Sequence, residues 1–251
     1  MKPKQSIFNV FQRSDEYFEL LSDPEFSRKY VIKQLLFILL FTFINGVVMG
    51  SYNGFLQSMI TGVKIPCLIF LSLIVCFPAL FVIQYMIGST MTLYQMANII
   101  LSGFFVFSTI SLSFAPIVVF FMITGGNYAF LKLLHVAIFT FSGIFAIKTI
   151  IEGLTFSCEK KNIYPKLGMK IFKIWIVILA FVSSQLAWNL RPFVGSHDLP
   201  LELFRHRQSN FYVAVIQSVA DLLEPAKKPV SNKQEAMPGN RTDSTLKKVH
   251  D

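Results

Sequence analysis

The chain has 251 residues, of which 53% are hydrophobic and only 15% are charged. A water-soluble domain carries about a quarter of its residues as charged side chains, so this composition excludes an ordinary soluble protein and indicates a protein of the lipid bilayer. The formal net charge of +9 does not indicate nucleic-acid binding, because the lysines and arginines gather beside apolar runs instead of forming one basic face.

Residues 1–30 predict a polar, cytoplasmic N-terminal segment with apolar patches. One patch contains Tyr17, Phe18, Leu20 and Leu21 and suits an amphipathic helix that lies on the membrane surface. We expect no cleavable signal peptide, since acidic groups and no small-residue cleavage site occur in this segment. Residues 22–25, Ser-Asp-Pro-Glu, predict a helix start with a capping oxygen, a first-turn proline and an acid at the positive dipole end.

Residues 31–188 are predicted to form an all-α transmembrane helix bundle. A helix needs about 20 apolar residues to cross about 30 Å of hydrocarbon with its backbone amides paired internally. Four segments meet this requirement, and a fifth exceeds one crossing but is short for two. The four are 31–52, 65–88, 130–153 and 171–188, and the fifth is 93–124.

In the fifth segment, Pro116 is expected to kink or break the helix. We interpret the segment as one span with a bent or re-entrant extension, and a hairpin of two short spans is the competing interpretation. Four hydroxyl-bearing residues precede the proline and could line a polar path. They are Ser108, Thr109, Ser111 and Ser113.

Charge asymmetry favours five spans with the N-terminus in the cytoplasm and the C-terminus outside. Short cytoplasmic loops are rich in Lys and Arg, and this arrangement places the basic residues before the first span and in loop 154–170 inside. Arg191, Arg205 and Arg207 argue for the alternative of six spans. We expect a multi-pass protein of the cell membrane, specifically a bacterial inner membrane.

Gly46, Gly50 and Gly54 follow one another at four-residue spacing, which predicts one helix face that another backbone can approach closely. The approaching helix could belong to this chain or to a second copy.

Sequence 26–151 contains no Asp or Glu, so a carboxylate-based transporter or enzyme is not expected. No hydrolase, metalloprotease or nucleotide-binding motif occurs, and the three cysteines form no CxxC pair. We therefore predict no catalytic residue, no metal site and no cofactor. His135, Asn45, Asn98 and Gln185 are interpreted as hydrogen-bonding groups within the bundle.

The last span ends in a membrane-interface motif, in which an aromatic ring and an arginine suit the headgroup depth and a proline and a glycine end the helix. Its residues are Trp188, Asn189, Arg191, Pro192, Phe193 and Gly195. Residues 189–223 then predict a loop and an amphipathic helix with Phe211, Val215, Val219 and Leu222 at helical spacing. Residues 224–251 are predicted to be disordered.

The stretches "SQLAWNLRPFVG", "LPLELFR" and "NFYVAVIQS", with "SFAP" at 113–116, resemble the terminal signature of an uncharacterised family of bacterial polytopic membrane proteins. The five-span plan is similar to the Yip family of membrane-trafficking proteins. Neither resemblance implies a catalytic residue. Residues 246–249, Leu-Lys-Lys-Val, resemble part of an actin-binding motif, but its preceding amphipathic helix is missing, so actin binding is not expected.

The leading interpretation is a non-enzymatic membrane protein that organises the membrane or binds a partner. Membrane lipids and either a homo-oligomer or another membrane protein are its expected partners. A channel or transporter that uses the fifth segment is the alternative. A weaker alternative is a lipid-modifying enzyme that uses Asn189, Arg191 and His197 at the interface.

Overall fold

A computed structural model describes residue 10 and residues 14–21, 24–125, 128–159 and 166–190. Over these ranges the chain is all-α and contains no strand, as its composition predicts. Residues 191–251 and most of 1–13 lie outside the described ranges. The helices are α1 (Ser14–Leu21), α2 (Pro24–Gly50), α3 (Phe55–Met86), α4 (Leu93–Ser113), α5 (Ala115–Ile123), α6 (Tyr128–Glu159) and α7 (Lys166–Leu190).

Five helical stretches are long and apolar enough to cross a membrane, which confirms the five-span prediction by length and composition. These stretches are Ser27–Gly50, Phe55–Met86, Leu93–Ile123, Ala129–Glu159 and Leu167–Leu190. The protein is therefore a multi-pass bundle. The predicted helix start is also confirmed, since α2 begins at Pro24.

Helix α3 is longer than predicted, because it begins at Phe55 and not at residue 65. Its 32 residues continue through Pro66 and Pro78. A proline inside a membrane helix is tolerated where neighbouring helices and side chains satisfy the freed backbone groups. The sequence obscured the first ten residues because they carry Gln57, Ser58, Thr61 and Lys64, whose side chains are buried against protein.

The fifth apolar segment is one span interrupted at a single residue. Phe114 separates α4 from α5 and keeps right-handed helical backbone angles (φ −83°, ψ −8°). The chain therefore does not turn back, and the two-span hairpin is wrong. Pro116 is the second residue of α5, where its missing N–H leaves no helical hydrogen bond unmade.

Helix α4 lies at the centre of the bundle. Helices α2 and α6 pack along it, α3 packs on α2, and α7 packs on α3. One large core cluster draws residues from all of these helices and from α1. The Trp175 indole Nε1–H of α7 donates a hydrogen bond to the Cys76 carbonyl oxygen of α3 at 2.9 Å, which fixes the outermost helix to the bundle.

The bundle has two distinct ends. The N-terminal end holds α1, the starts of α2, α4 and α7, and the last residues of α3 and α6. The opposite end, called here the Gly54 end, holds the α2–α3 turn, the last residues of α5 and α7 and the start of α6. The chain therefore leaves α7 at the Gly54 end.

Candidate functional site

A close backbone contact between two spans lies at Gly46 and Gly50 of α2, which face α3 of the same chain. A methyl group at Gly46 would lie 2.6 Å from the Thr61 carbonyl oxygen, and one at Gly50 would lie 2.7 Å from the Gln57 carbonyl oxygen. Gly62 of α3 takes part in the same contact, since a methyl group added at Gly62 would lie 2.8 Å from Val47 Cγ2. At Gly46 and Gly50 backbone meets backbone, so a side chain at either position would force the helices apart.

Gly54 does not lie on this face. The prediction that it belongs to the same helix as Gly46 and Gly50 is wrong. Helix α2 ends at Gly50, and a short 3₁₀ turn, Ser51–Asn53, follows it. Gly54 comes next with φ +118°, and nothing lies within 4 Å of a Cβ built there. Its role is therefore conformational, because only glycine adopts this backbone angle without strain.

A polar strip runs along α3 at the Gly54 end. Its members are Gln57, Thr61 and Lys64, which follow one another at i, i+4 and i+7 and have 2%, 0% and 7% of their surface exposed. The Gln57 side-chain amide donates a hydrogen bond of 3.4 Å to the Thr61 hydroxyl. Lys64 lies nine residues into α3, about 14 Å along the helix axis from Phe55. The strip thus carries an ammonium group into a membrane-spanning helix.

The predicted spans 31–52 and 65–88 leave Lys64 in a loop, whereas the structure places it inside α3. An ionisable side chain within a span is a candidate functional group, because burying its charge is costly. The helical spacing of Gln57, Thr61 and Lys64 was the signal that could have found it.

The residues of the predicted polar path do not line one common surface. The hydroxyls of Ser108 and Thr109 both donate to the Phe105 carbonyl oxygen, at 2.9 and 2.8 Å. The Ser111 hydroxyl donates to the Ser142 hydroxyl of α6 at 3.1 Å. Ser108 and Ser111 are buried between helices, whereas Ser113 and Pro116 are exposed on the outside of the bundle. The five predicted residues are therefore divided between the interior and the lipid-facing surface.

His135 is buried, and its hydrogen bond stays within its own helix. The Nδ1 atom lies 2.7 Å from the Leu131 carbonyl oxygen, so Nδ1 carries the donated hydrogen. Asn98, by contrast, joins α4 to α2 as predicted, because its side-chain amide donates to the Ser27 carbonyl oxygen at 2.7 Å and to the Ser27 hydroxyl at 2.6 Å.

Helix α1 is amphipathic as predicted, but its apolar face packs on protein and not on lipid. Tyr17, Phe18 and Leu21 are all at least 97% buried against the bundle. The Gln34 side-chain amide donates a hydrogen bond to the Tyr17 hydroxyl. Phe18 fills the space above Gly153 of α6, whose Cβ position lies 2.7 Å from the Phe18 ring. The amphipathic pattern could not distinguish these two apolar environments, so the expected lipid contact is corrected.

Among the residues that the structure describes, exposed positive charge is concentrated at the N-terminal end. Arg28, Lys29 and Lys33 of α2 and Lys170 and Lys173 of α7 are exposed. Deeper in α6, the exposed Lys148 and Glu152 side chains approach to 3.9 Å. At the Gly54 end the cations of the described spans are the buried Lys64 and the half-buried Lys132.

Trp188 and Asn189 are near the last residue of α7 at the Gly54 end, while Arg191, Pro192, Phe193 and Gly195 lie outside the described residues. Among the residues that the structure describes, no group of three or more His, Cys, Asp or Glu side chains could hold a metal ion. No protein-family model, curated protein or solved structure matches this chain. The two family resemblances therefore stay predictions.

Proposed function

We propose that the protein is a non-enzymatic membrane protein that organises the membrane or binds a partner within it. The observation that carries the proposal is that polar side chains of the bundle form hydrogen bonds between its helices. Asn98 joins α4 to α2, Ser111 joins α4 to α6, and Trp175 joins α7 to α3. These groups hold helices together, and those of the predicted path share no common surface. The large outward faces of the spans are apolar and are available to lipid or to another membrane protein.

The proposal includes an orientation with the N-terminal end in the cytoplasm. The positive-inside rule supports it, because the exposed lysines and arginines of the described helices lie mainly at that end. Between Lys33 and Gly50, α2 has 17 residues and no charged residue, about 26 Å of apolar helix, which nearly spans the hydrocarbon core. In this orientation α1 caps the cytoplasmic side, and the membrane is that of a bacterial cell.

Site-specific photo-cross-linking in native membranes tests partner binding. Val177 of α7 is 67% exposed and Phe172 of the same helix is fully buried, so a photoreactive residue at each position makes a matched pair. We expect the substitution at Val177 to give a defined adduct with a second copy or with one membrane protein. We expect the substitution at Phe172 to give adducts within the chain only. Lipid adducts alone at Val177 and at Ile174, its exposed neighbour, would argue against a partner on this face.

The channel or transporter alternative stays a prediction, and liposomes test it. Ion or solute flux should be absent from liposomes that contain the purified protein. Flux that Ser111→Ala and Ser142→Ala both reduce, with the protein still folded, would contradict the proposal and favour the alternative. Alanine is the informative substitution, because leucine at the buried Ser111 would disrupt the packing of α4 on α6.

A further inference from the structure

The outward face of α6 carries two opposite charges within a membrane span. One side of α6 packs on α4, and the other side exposes Phe141, Ile144, Lys148 and Glu152. Their spacings of three and four residues place them on one helix face. The Lys148 and Glu152 side chains are 70% and 44% exposed, and their charged atoms lie 3.9 Å apart. Ionisable side chains within a span normally face protein or a water-filled cavity, so this face indicates a surface that another molecule covers.

Contacts between helices place Lys148 deeper in the membrane than Lys33, the last charged residue of α2. Helices α4 and α6 are antiparallel and joined by the serine hydrogen bond described above, so Lys148 and Phe105, each six residues from its serine, lie at the same level. The Phe105 ring packs on the Phe37 ring of α2, with the centroids 6.1 Å apart. Phe37 lies four residues beyond Lys33, which is about 6 Å further into the membrane. The Lys148 backbone therefore lies within the hydrocarbon core.

The presence of both charges favours a second copy of this chain over a lipid headgroup as the covering molecule. A lipid phosphate would attract the Lys148 ammonium but would repel the Glu152 carboxylate, whereas a second α6 offers both charges. Every copy inserts into the membrane with the same orientation. A twofold axis between two copies therefore runs along the membrane normal, and the two α6 helices are parallel.

The positions of the two charges make the face complementary to itself. Lys148 and Glu152 lie seven and eleven residues beyond Phe141. At 3.6 residues per turn, these spacings place them about 20° to opposite sides of a line through Phe141 along the helix. Across a twofold axis between parallel helices, each side of the line faces the opposite side in the other copy. Lys148 of each copy therefore faces Glu152 of the other.

We propose that two copies of the protein associate through this face of α6, with two reciprocal ion pairs between Lys148 and Glu152. Phe141 and Ile144 pack beside the axis and supply apolar contact toward the middle of the membrane. The inference rests on the proposed function and deepens it, because it identifies the bound partner as a second copy of the chain.

Disulfide formation across the axis tests the interface in the full-length protein in liposomes. The test uses a variant in which Cys67, Cys76 and Cys158 are replaced by alanine. Mild oxidation should cross-link two copies of Ile144→Cys in about tenfold higher yield than two copies of Ile74→Cys, because a specific contact raises the local concentration of the paired thiols. Ile144 of α6 and Ile74 of α3 are 61% and 68% exposed, so chance collisions oxidise both to a similar extent. Equal yields would overturn the inference.

Charge reversal in the Ile144→Cys background tests the ion pairs. Lys148→Glu and Glu152→Lys each place four like charges at the interface, so each should lower the cross-link yield about tenfold. A mixture of the two variants should recover the yield as mixed pairs, because one copy then carries two carboxylates and the other two ammonium groups. A folding defect in either variant cannot produce this recovery. Thermal unfolding of one copy in a nanodisc leaves the pair exposed and does not report the interface.

The remaining outcomes separate this interface from its alternatives. If the mixture does not recover the cross-link and Lys148→Glu lowers only the retention of phosphatidylglycerol, Lys148 pairs with a lipid phosphate and the inference is wrong. A defined photo-adduct of Val177 with another membrane protein, without the cross-link at position 144, refutes this interface and leaves the proposed function in place. Flux that depends on Ser111 and Ser142 refutes the proposed function whatever the cross-link shows.

Discussion

Replacing Gly46 by alanine should loosen the contact between α2 and α3. The added methyl carbon would lie 2.6 Å from the Thr61 carbonyl oxygen and 2.8 Å from the Gly62 Cα. Non-bonded carbon contacts are most favourable at about 3.5–4.0 Å, so the helices must separate by about 1 Å. Both obstructing atoms are backbone, which cannot rotate away. Overpacking of this kind costs about 1–3 kcal/mol, and the higher helix propensity of alanine offsets up to about 1 kcal/mol of that loss.

Gly143→Ala is the matched control, because Gly143 lies inside α6 and nothing is within 4 Å of its Cβ position. Here the methyl group meets open space, and we expect no loss of stability. Thermal unfolding of each variant in nanodiscs measures the difference, at roughly 2–4 °C per kcal/mol for a chain of this size. Equal melting temperatures for Gly46→Ala and Gly143→Ala would refute the close backbone contact.

Three further variants test other contacts. Trp175→Phe removes the indole hydrogen bond to the Cys76 carbonyl and should lower the unfolding free energy by about 1 kcal/mol, measured by thermal unfolding in nanodiscs, with a neutral result arguing against this contact. Burial raises the pKa of the Tyr17 phenol well above 10, although its hydrogen bond from Gln34 opposes part of this rise. The stability that the neutral phenol contributes is therefore complete below about pH 10 and is lost as the pH rises further. In melting curves between about pH 8 and 11, the difference in melting temperature between the wild type and Tyr17→Phe should therefore shrink. Glu152→Gln should change stability by less than about 0.5 kcal/mol in the same assay, because its pair with a lysine is long and exposed.

The number and place of the spans were predictable because lipid imposes a length and a composition on each helix. The start of α3 was not, because Lys64 and Pro66 resemble a boundary when the helix is assumed to face lipid on all sides. Gly46 and Gly50 share a face because α2 is regular there, whereas Gly54 belongs to the turn. Spacing predicts a common face only while the helix continues, and the sequence does not mark Gly50 as the last helical residue.

The candidate site was harder to predict than the fold. The role of each of its residues depends on whether protein or lipid lies against the side chain. Tyr17 and Phe18 show that an apolar helix face has the same sequence pattern whether lipid or protein lies against it. Lys64 shows the converse. A cation beside an apolar run has the sequence pattern of a membrane boundary, but the residues that precede Lys64 are helical and several of them are buried. In both cases the environment of the side chain is decided by the protein surface that packs against it, and that packing depends on contacts between distant parts of the chain.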